Sequence, residues 1–142
     1  MQIYSKIHPE KLLHLVQRFS DLQALDTHNG LGRINVAPET EFLQLAALKL
    51  ENKKTFKAHK HIYKQGEKQV IAQESWVVLK GAVKAFFYDL DDTLLTSVTL
   101  KEGDASMTFG GGHNYQSEAD DTLVYEYKTG PYKGIENDKE FI

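Results

Sequence analysis

His59 and His61 stand two residues apart in the stretch FKAHKHIYKQGEKQVIAQESWVVLKG, residues 56–81, which also holds Glu74. Side chains alternate between the faces of a β-strand, so histidines at i and i+2 share one face. Their Cβ atoms then lie about 7 Å apart, and two such imidazoles can reach one metal ion through bonds of ~2.0–2.2 Å. Glu74 leads the run ESWVVLKG, in which Glu74, Trp76 and Val78 fall on one face. A carboxylate at the head of an apolar strand calls for a partner, because a buried charge is costly unless it is paired or bound to metal. Downstream, MTFGGGH ends on His113. Its glycines let the backbone turn tightly and bring that imidazole close to whatever it faces. Three nitrogens and one carboxylate oxygen suit a divalent first-row ion (Fe, Mn, Ni, Co or Zn) with positions left open for substrate. The competing expectation is a pocket whose histidines hold no metal.

Elements must exist to carry these residues together. Short segments rich in β-branched and aromatic residues recur at Phe42–Leu50, Thr55–Tyr63, Gln69–Leu79, Val83–Asp89, Leu94–Leu100, Ala105–Phe109 and Leu123–Lys128, with Gly, Asn, Asp and Lys between them. Strands at such spacing predict a sandwich or barrel. Upstream, Leu12, Leu15, Val16, Phe19 and Leu22 recur at steps of three and four, which predicts an amphipathic helix over about 9–25. Pro9 suits its first turn, and DTHNGLG at 26–32 ends it. The expected organisation is one domain: a helical segment, 1–32, packed on a barrel, 33–142.

Composition narrows the function classes. The chain has 142 residues, a formal net charge of −3 and no cysteine. No basic footprint for nucleic acid exists. Thiolate chemistry and disulfides are excluded. No apolar run approaches the ~20 residues that span a bilayer, and MQIYSKIHPEKLL lacks the apolar centre of a signal peptide. The expected setting is cytoplasmic, with neither nucleic acid nor membrane as a partner.

The motif order resembles the cupin superfamily. His59-Lys60-His61 match its histidine pair, and Glu74 is followed seven residues later by Gly81, as its first motif requires. Gly103 and Thr108-Phe109-Gly110-Gly111-Gly112-His113 match the second motif, with Thr108 where proline is usual. Twelve residues separate His61 from Glu74, against three or four in the usual pattern. The resemblance covers about residues 40–128. It implies an all-β fold, a double-stranded β-helix or jelly-roll barrel with the helix added at the N-terminus. It also implies a metal held by His59, His61, Glu74 and His113, and a homodimer as a possible assembly. The closing VYEYKTGPYKG adds a looser similarity to small cupins of bacterial surface-polysaccharide clusters.

The function expected from this resemblance is metal-dependent catalysis on a small polar molecule, a carbohydrate or nucleotide-sugar, of the isomerase or epimerase type. Glu126, Tyr63 and Lys57 are the candidates to move a proton. Trp76, Lys128 and Tyr132 are the candidates to bind substrate, with Tyr63 a further stacking surface. Two alternatives stand beside it: an Fe(II)-dependent dioxygenase using the same ligands, and a small-molecule binding module without turnover. His8, His14 and His28 lie outside the motifs and are expected on the surface.

Overall fold

The computed structural model describes residues 1–64 and 70–142 of the chain. Strands β1 (Gln2–Tyr4) and β2 (Leu12–Leu15) precede a short helix, α1 (Phe19–Gln23), and then β3 (Leu31–Asn35) and β4 (Leu43–Leu50). The histidine and glutamate region carries β5 (His59–His61), β6 (Tyr63–Lys64), β7 (Val70–Ile71) and β8 (Glu74–Lys80). After it come β9 (Ala82–Tyr88), β10 (Leu94–Lys101), β11 (Ala105–Thr108), β12 (Gly112–Ser117) and β13 (Thr122–Thr129). A 3-10 turn at Ile135–Asn137 leads to the final strand, β14 (Lys139–Phe141).

Ten of these strands form two antiparallel five-stranded sheets, one ordered β11-β8-β13-β4-β3 and the other β10-β9-β12-β5-β14. Alternation decides what lies between them. In β8, Glu74, Trp76 and Val78 are buried, while Ser75, Val77 and Leu79 are only partly covered. Leu48, Leu50, Trp76, Val78 and Val124 of the first sheet pack in one core with Val83, Ala85, Leu100 and Tyr115 of the second. Each fully buried aliphatic side chain there contributes roughly 1.5–3 kcal/mol by leaving water. The chain crosses from the first sheet to the second between β8 and β9, turning at Gly81, whose φ is +82°. A Cβ there would also lie 2.5 Å from Thr122 Oγ1, so both the backbone and the space require glycine.

The N-terminal region departs from expectation. Helix is confined to Phe19–Gln23, and Leu12–Leu15 is a strand paired with Gln2–Tyr4. Of the periodic apolar stripe only Leu22 is fully buried, against Ala47 and Leu123. A helix of 9–25 would need a covering surface along its whole stripe, and pairing with β1 satisfies the backbone of 12–15 instead. Gln69, the expected start of a strand ending at Leu79, lies outside the described residues, as does the middle of the 62–73 insertion. Besides β1 and β2, three further strands lie outside the expected segments: β3, β12 and β14.

Candidate metal centre

Strand pairing brings the four ligand-type residues to one place. β12 lies between β9 and β5, and its register sets His113 opposite His59. The ring centroids of His59 and His113 are 4.6 Å apart, those of His61 and His113 5.5 Å, and those of His59 and His61 5.4 Å. Glu74 enters from the other sheet as the first residue of β8. One donor atom from each of His59, His61, Glu74 and His113 lies within 4.8 Å of the other three, and all four residues are buried.

Each group is oriented by a neighbour. Nδ1–H of His59 faces the carbonyl of Lys57 at 3.0 Å, which leaves the Nε2 lone pair toward the cluster. The ammonium of Lys139 donates to that Nε2 at 3.0 Å. Nδ1 of His61 faces Asp138, with the carbonyl at 3.2 Å and Oδ2 at 3.3 Å, while its Nε2 lies 3.1 Å from Glu74 Oε2. Glu74 Oε1 accepts from Trp76 Nε1–H at 3.0 Å and lies 3.2 Å from His113 Nε2. Nδ1 of His113 is buried with no hydrogen-bond partner among the described residues.

Burial pushes His59 down to about 4, helped by the nearby charge of Lys139. Burial opposes a charge on His61 too, but its bonds to Asp138 and Glu74 outweigh this and raise its pKa. Glu74 is fully enclosed, which disfavours its ionised form; hydrogen bonds from His113 and His61 more than offset that and hold it well below the usual carboxylate range. Asp138 is likewise lowered against its burial by His61 and Lys128.

The donor set fits a divalent ion. It is three imidazole nitrogens and one carboxylate, with a spread close to what bonds of ~2.0–2.2 Å require. Outer groups already fix two of the three rings, as metal-binding histidines need.

A cavity of about 420 Å³ opens onto this cluster. Its floor is formed by buried His59, Glu74, Trp76 and Tyr115, and its rim by exposed Arg33, Asn35 and Glu39. The volume is within the ~300–1,000 Å³ of small-molecule sites.

No family model matches the chain, and no curated protein does. Solved structures do. KdgF from Halomonas sp. superposes with a TM-score of 0.58 at 21% identity, over 76% of this chain and 86% of that one. CapF, the capsular polysaccharide assembling protein of Staphylococcus aureus, gives 0.67 at 13% identity over 83% of this chain, which spans 31% of CapF. A cupin superfamily protein from Desulfitobacterium hafniense gives 0.58 at 12% identity, over 84% of this chain and 96% of that one. The chain has the cupin fold. At these identities the likeness is one of architecture.

The remaining predicted residues divide between the cupin cavity and elsewhere. Glu126 and Lys128 line the cavity from β13, with side chains 13% and 11% exposed. Glu126 is paired with Arg33 at 2.8 Å, and Lys128 with Asp138 at 2.9 Å. Lys57 lines the cavity with its ammonium 4.3 Å over the Phe141 ring, and Tyr132 lines it beneath the Lys128 ammonium. Trp76 is a floor residue, stacked on Tyr115 at 4.1 Å. Tyr63 is 61% exposed and is not among the residues lining the cavity. β5 ends after His61, where the Ile62 amide bonds the carbonyl of Asp138, so the strand's alternation does not carry on to Tyr63. Asp138, Lys139 and Arg33 were not anticipated. The first two sit in NDKEF, whose charges read as a solvated tail until β14 pairs with β5. His8, His14 and His28 are exposed.

Proposed function

We propose that this chain is a metal-dependent enzyme acting on a carbohydrate or nucleotide-sugar, of the isomerase or epimerase class. The observation that carries this reading is the buried His59–His61–Glu74–His113 group opening onto a cavity whose lining also includes the acid Glu126 and the cations Lys57 and Lys128. His59, His61, Glu74 and His113 would hold a divalent ion, which when bound supplies Lewis acidity toward a carbonyl or hydroxyl oxygen. The chain's own residues do the rest. Trp76 and Tyr115, stacked on each other and buried, close the cavity from below with an apolar floor. Glu126 lies on the cavity wall, held there by Arg33, and is the candidate to take a substrate proton. Tyr132 and Lys128 offer a hydroxyl and an ammonium at the wall. The likeness to CapF supports a substrate drawn from surface-polysaccharide assembly.

A binding module without turnover is the second reading. It is favoured by the ion pairs themselves, since Glu126 and Lys128 are both neutralised by partners rather than free to exchange protons. The two readings part in one experiment. Metal-loaded protein is incubated in D₂O with a panel of nucleotide-sugars and followed by proton NMR. Loss or inversion at a ring C–H, abolished in Glu126→Gln, supports catalysis. Saturable binding with every ring proton retained supports the module.

A further inference from the structure

The cavity is lined by four side-chain cations, Arg33, Lys57, Lys128 and Lys139. Two are neutralised: Arg33 by Glu126 and Lys128 by Asp138. Among the described residues, Lys57 and Lys139 form no ion pair. Both are placed by the last strand. Lys57 rests over Phe141, and Lys139 is the first residue of β14, paired opposite His61.

Lys139 is the unusual one. It is half-buried at the cavity floor, and its polar contact is a neutral acceptor, His59 Nε2, at 3.0 Å. That lone pair can serve the ammonium or an ion, but not both, because Nδ1 of His59 is committed to Lys57 carbonyl. With an ion on the cluster, the Lys139 N–H groups need another acceptor. The charges point the same way. A divalent ion brings two positive charges, Glu74 cancels one, and Lys139 adds one more; the imidazoles are neutral as ligands. An excess of positive charge in a buried place is costly until an anion joins it.

Resting on the metal-site reading above, we infer that the cavity floor takes the carboxylate of a hydroxy or keto acid, held by Lys139 beside the metal. Positions left open on an ion held by these four residues would suit a carboxylate with an oxygen on the neighbouring carbon. A phosphate is the poorer match. It prefers bidentate guanidinium or a row of backbone amides, and the cavity's one arginine is taken by Glu126 and Asn35. The acid is therefore a sugar acid or a smaller analogue, with its hydroxyls toward the Asn35 and Glu39 rim.

The test uses the full chain loaded with one equivalent of Mn²⁺ and the minimal probes glycolate, ethylene glycol and inorganic phosphate. Paramagnetic relaxation of the probe's methylene protons reports approach to the ion, and phosphate is scored by its ability to displace glycolate. Metal content is measured on every sample. Glycolate protons should relax at least tenfold faster than those of ethylene glycol at equal concentration. Lys139→Gln should reduce the glycolate effect about tenfold, keep its metal and leave ethylene glycol unchanged. Lys139→Arg should retain most of the glycolate effect. Equal relaxation of the two probes, displacement by phosphate at lower concentration than glycolate's own, or an unchanged Lys139→Gln overturns the inference while the metal site stands. Loss of metal from Lys139→Gln assigns the lysine to structure and overturns it also. A wild-type chain that takes up no metal sinks both this inference and the reading it rests on.

Discussion

Asp138 grips the outer edge of His61: its Oδ2 is 3.3 Å and its carbonyl 3.2 Å from Nδ1, while Nε2 of the same ring meets Glu74 at 3.1 Å. One imidazole thus lies between two carboxylates, and both residues that bracket it are buried. The arrangement fixes which nitrogen faces the cluster. A carboxylate behind a histidine keeps Nδ1 protonated and makes Nε2 the more basic donor.

Asp138→Asn should therefore weaken divalent-metal binding roughly 10–100-fold without removing a ligand. Competition against a chromophoric chelator measures it. Wild-type affinity in this variant would show that the Asp138 carboxylate has no bearing on the metal through His61.

Metal should also stabilise the fold, since the folded cluster binds it and the unfolded chain lacks the site. At a free concentration 1,000 times Kd, the gain is about 4 kcal/mol. Thermal unfolding with Zn²⁺, then with excess EDTA, reads the difference. His113→Ala and Glu74→Gln should abolish the metal-dependent increment, and an increment that survives in either would place the ion elsewhere.

The site was more legible in the sequence than its surroundings, for physical reasons. Strand alternation alone puts His59 with His61, and Glu74 with Trp76 and Val78. Short-range rules of this kind read directly from the chain. What supports the ligands does not. Asp138 and Lys139 reach the histidines through the pairing of β14 with β5, a contact between residues about 80 apart, and nothing local in NDKEF announces it. Tyr63 failed to join its expected face because the alternation stops at Ile62, whose amide turns to Asp138. The helix over 9–25 failed for a related reason: a three-four stripe marks a helix only where something covers it, and here only Leu22 is fully covered.

Stability of the metal-free protein should fall as pH drops from about 6.5 toward 4. His59 has a pKa lowered to about 4 in the fold, so the folded state resists a proton that the unfolded chain accepts near 6.5. Its contribution is present above the unfolded value and is lost on acidification. His61 is raised, so its contribution is complete below the unfolded value and is lost only as pH rises through the folded one. Glu74 and Asp138 are lowered and lose theirs at more acid pH. His59 dominates most of this window; Glu74 joins only at its acid end, where the unfolded chain begins to protonate that carboxyl near 4.5. The expected loss is at most about 3 kcal/mol, trimmed to about 2 because the buried ring faces the cavity that opens to solvent. Urea unfolding of the EDTA-treated protein at stepped pH should show this slope, and His59→Asn should flatten it.

Trp76→Phe separates the aromatic floor from the carboxylate beside it. The indole does two things: it stacks on Tyr115 at an interplanar angle of 12°, and its Nε1–H donates to Glu74 Oε1. Phenylalanine keeps most of the stack and removes the donor, leaving a buried carboxylate oxygen with one neighbour fewer. A lost bond to a buried charged group costs about 1–3 kcal/mol. The expected outcome is a fall in thermal midpoint of the metal-free protein and weaker metal binding, because Glu74 is less firmly held. Combining the change with Glu74→Gln decides the cause. If the donor is what matters, the two losses in a double-mutant cycle will be strongly non-additive. Strict additivity would instead make Trp76 a packing residue whose polar atom has no bearing on the metal centre.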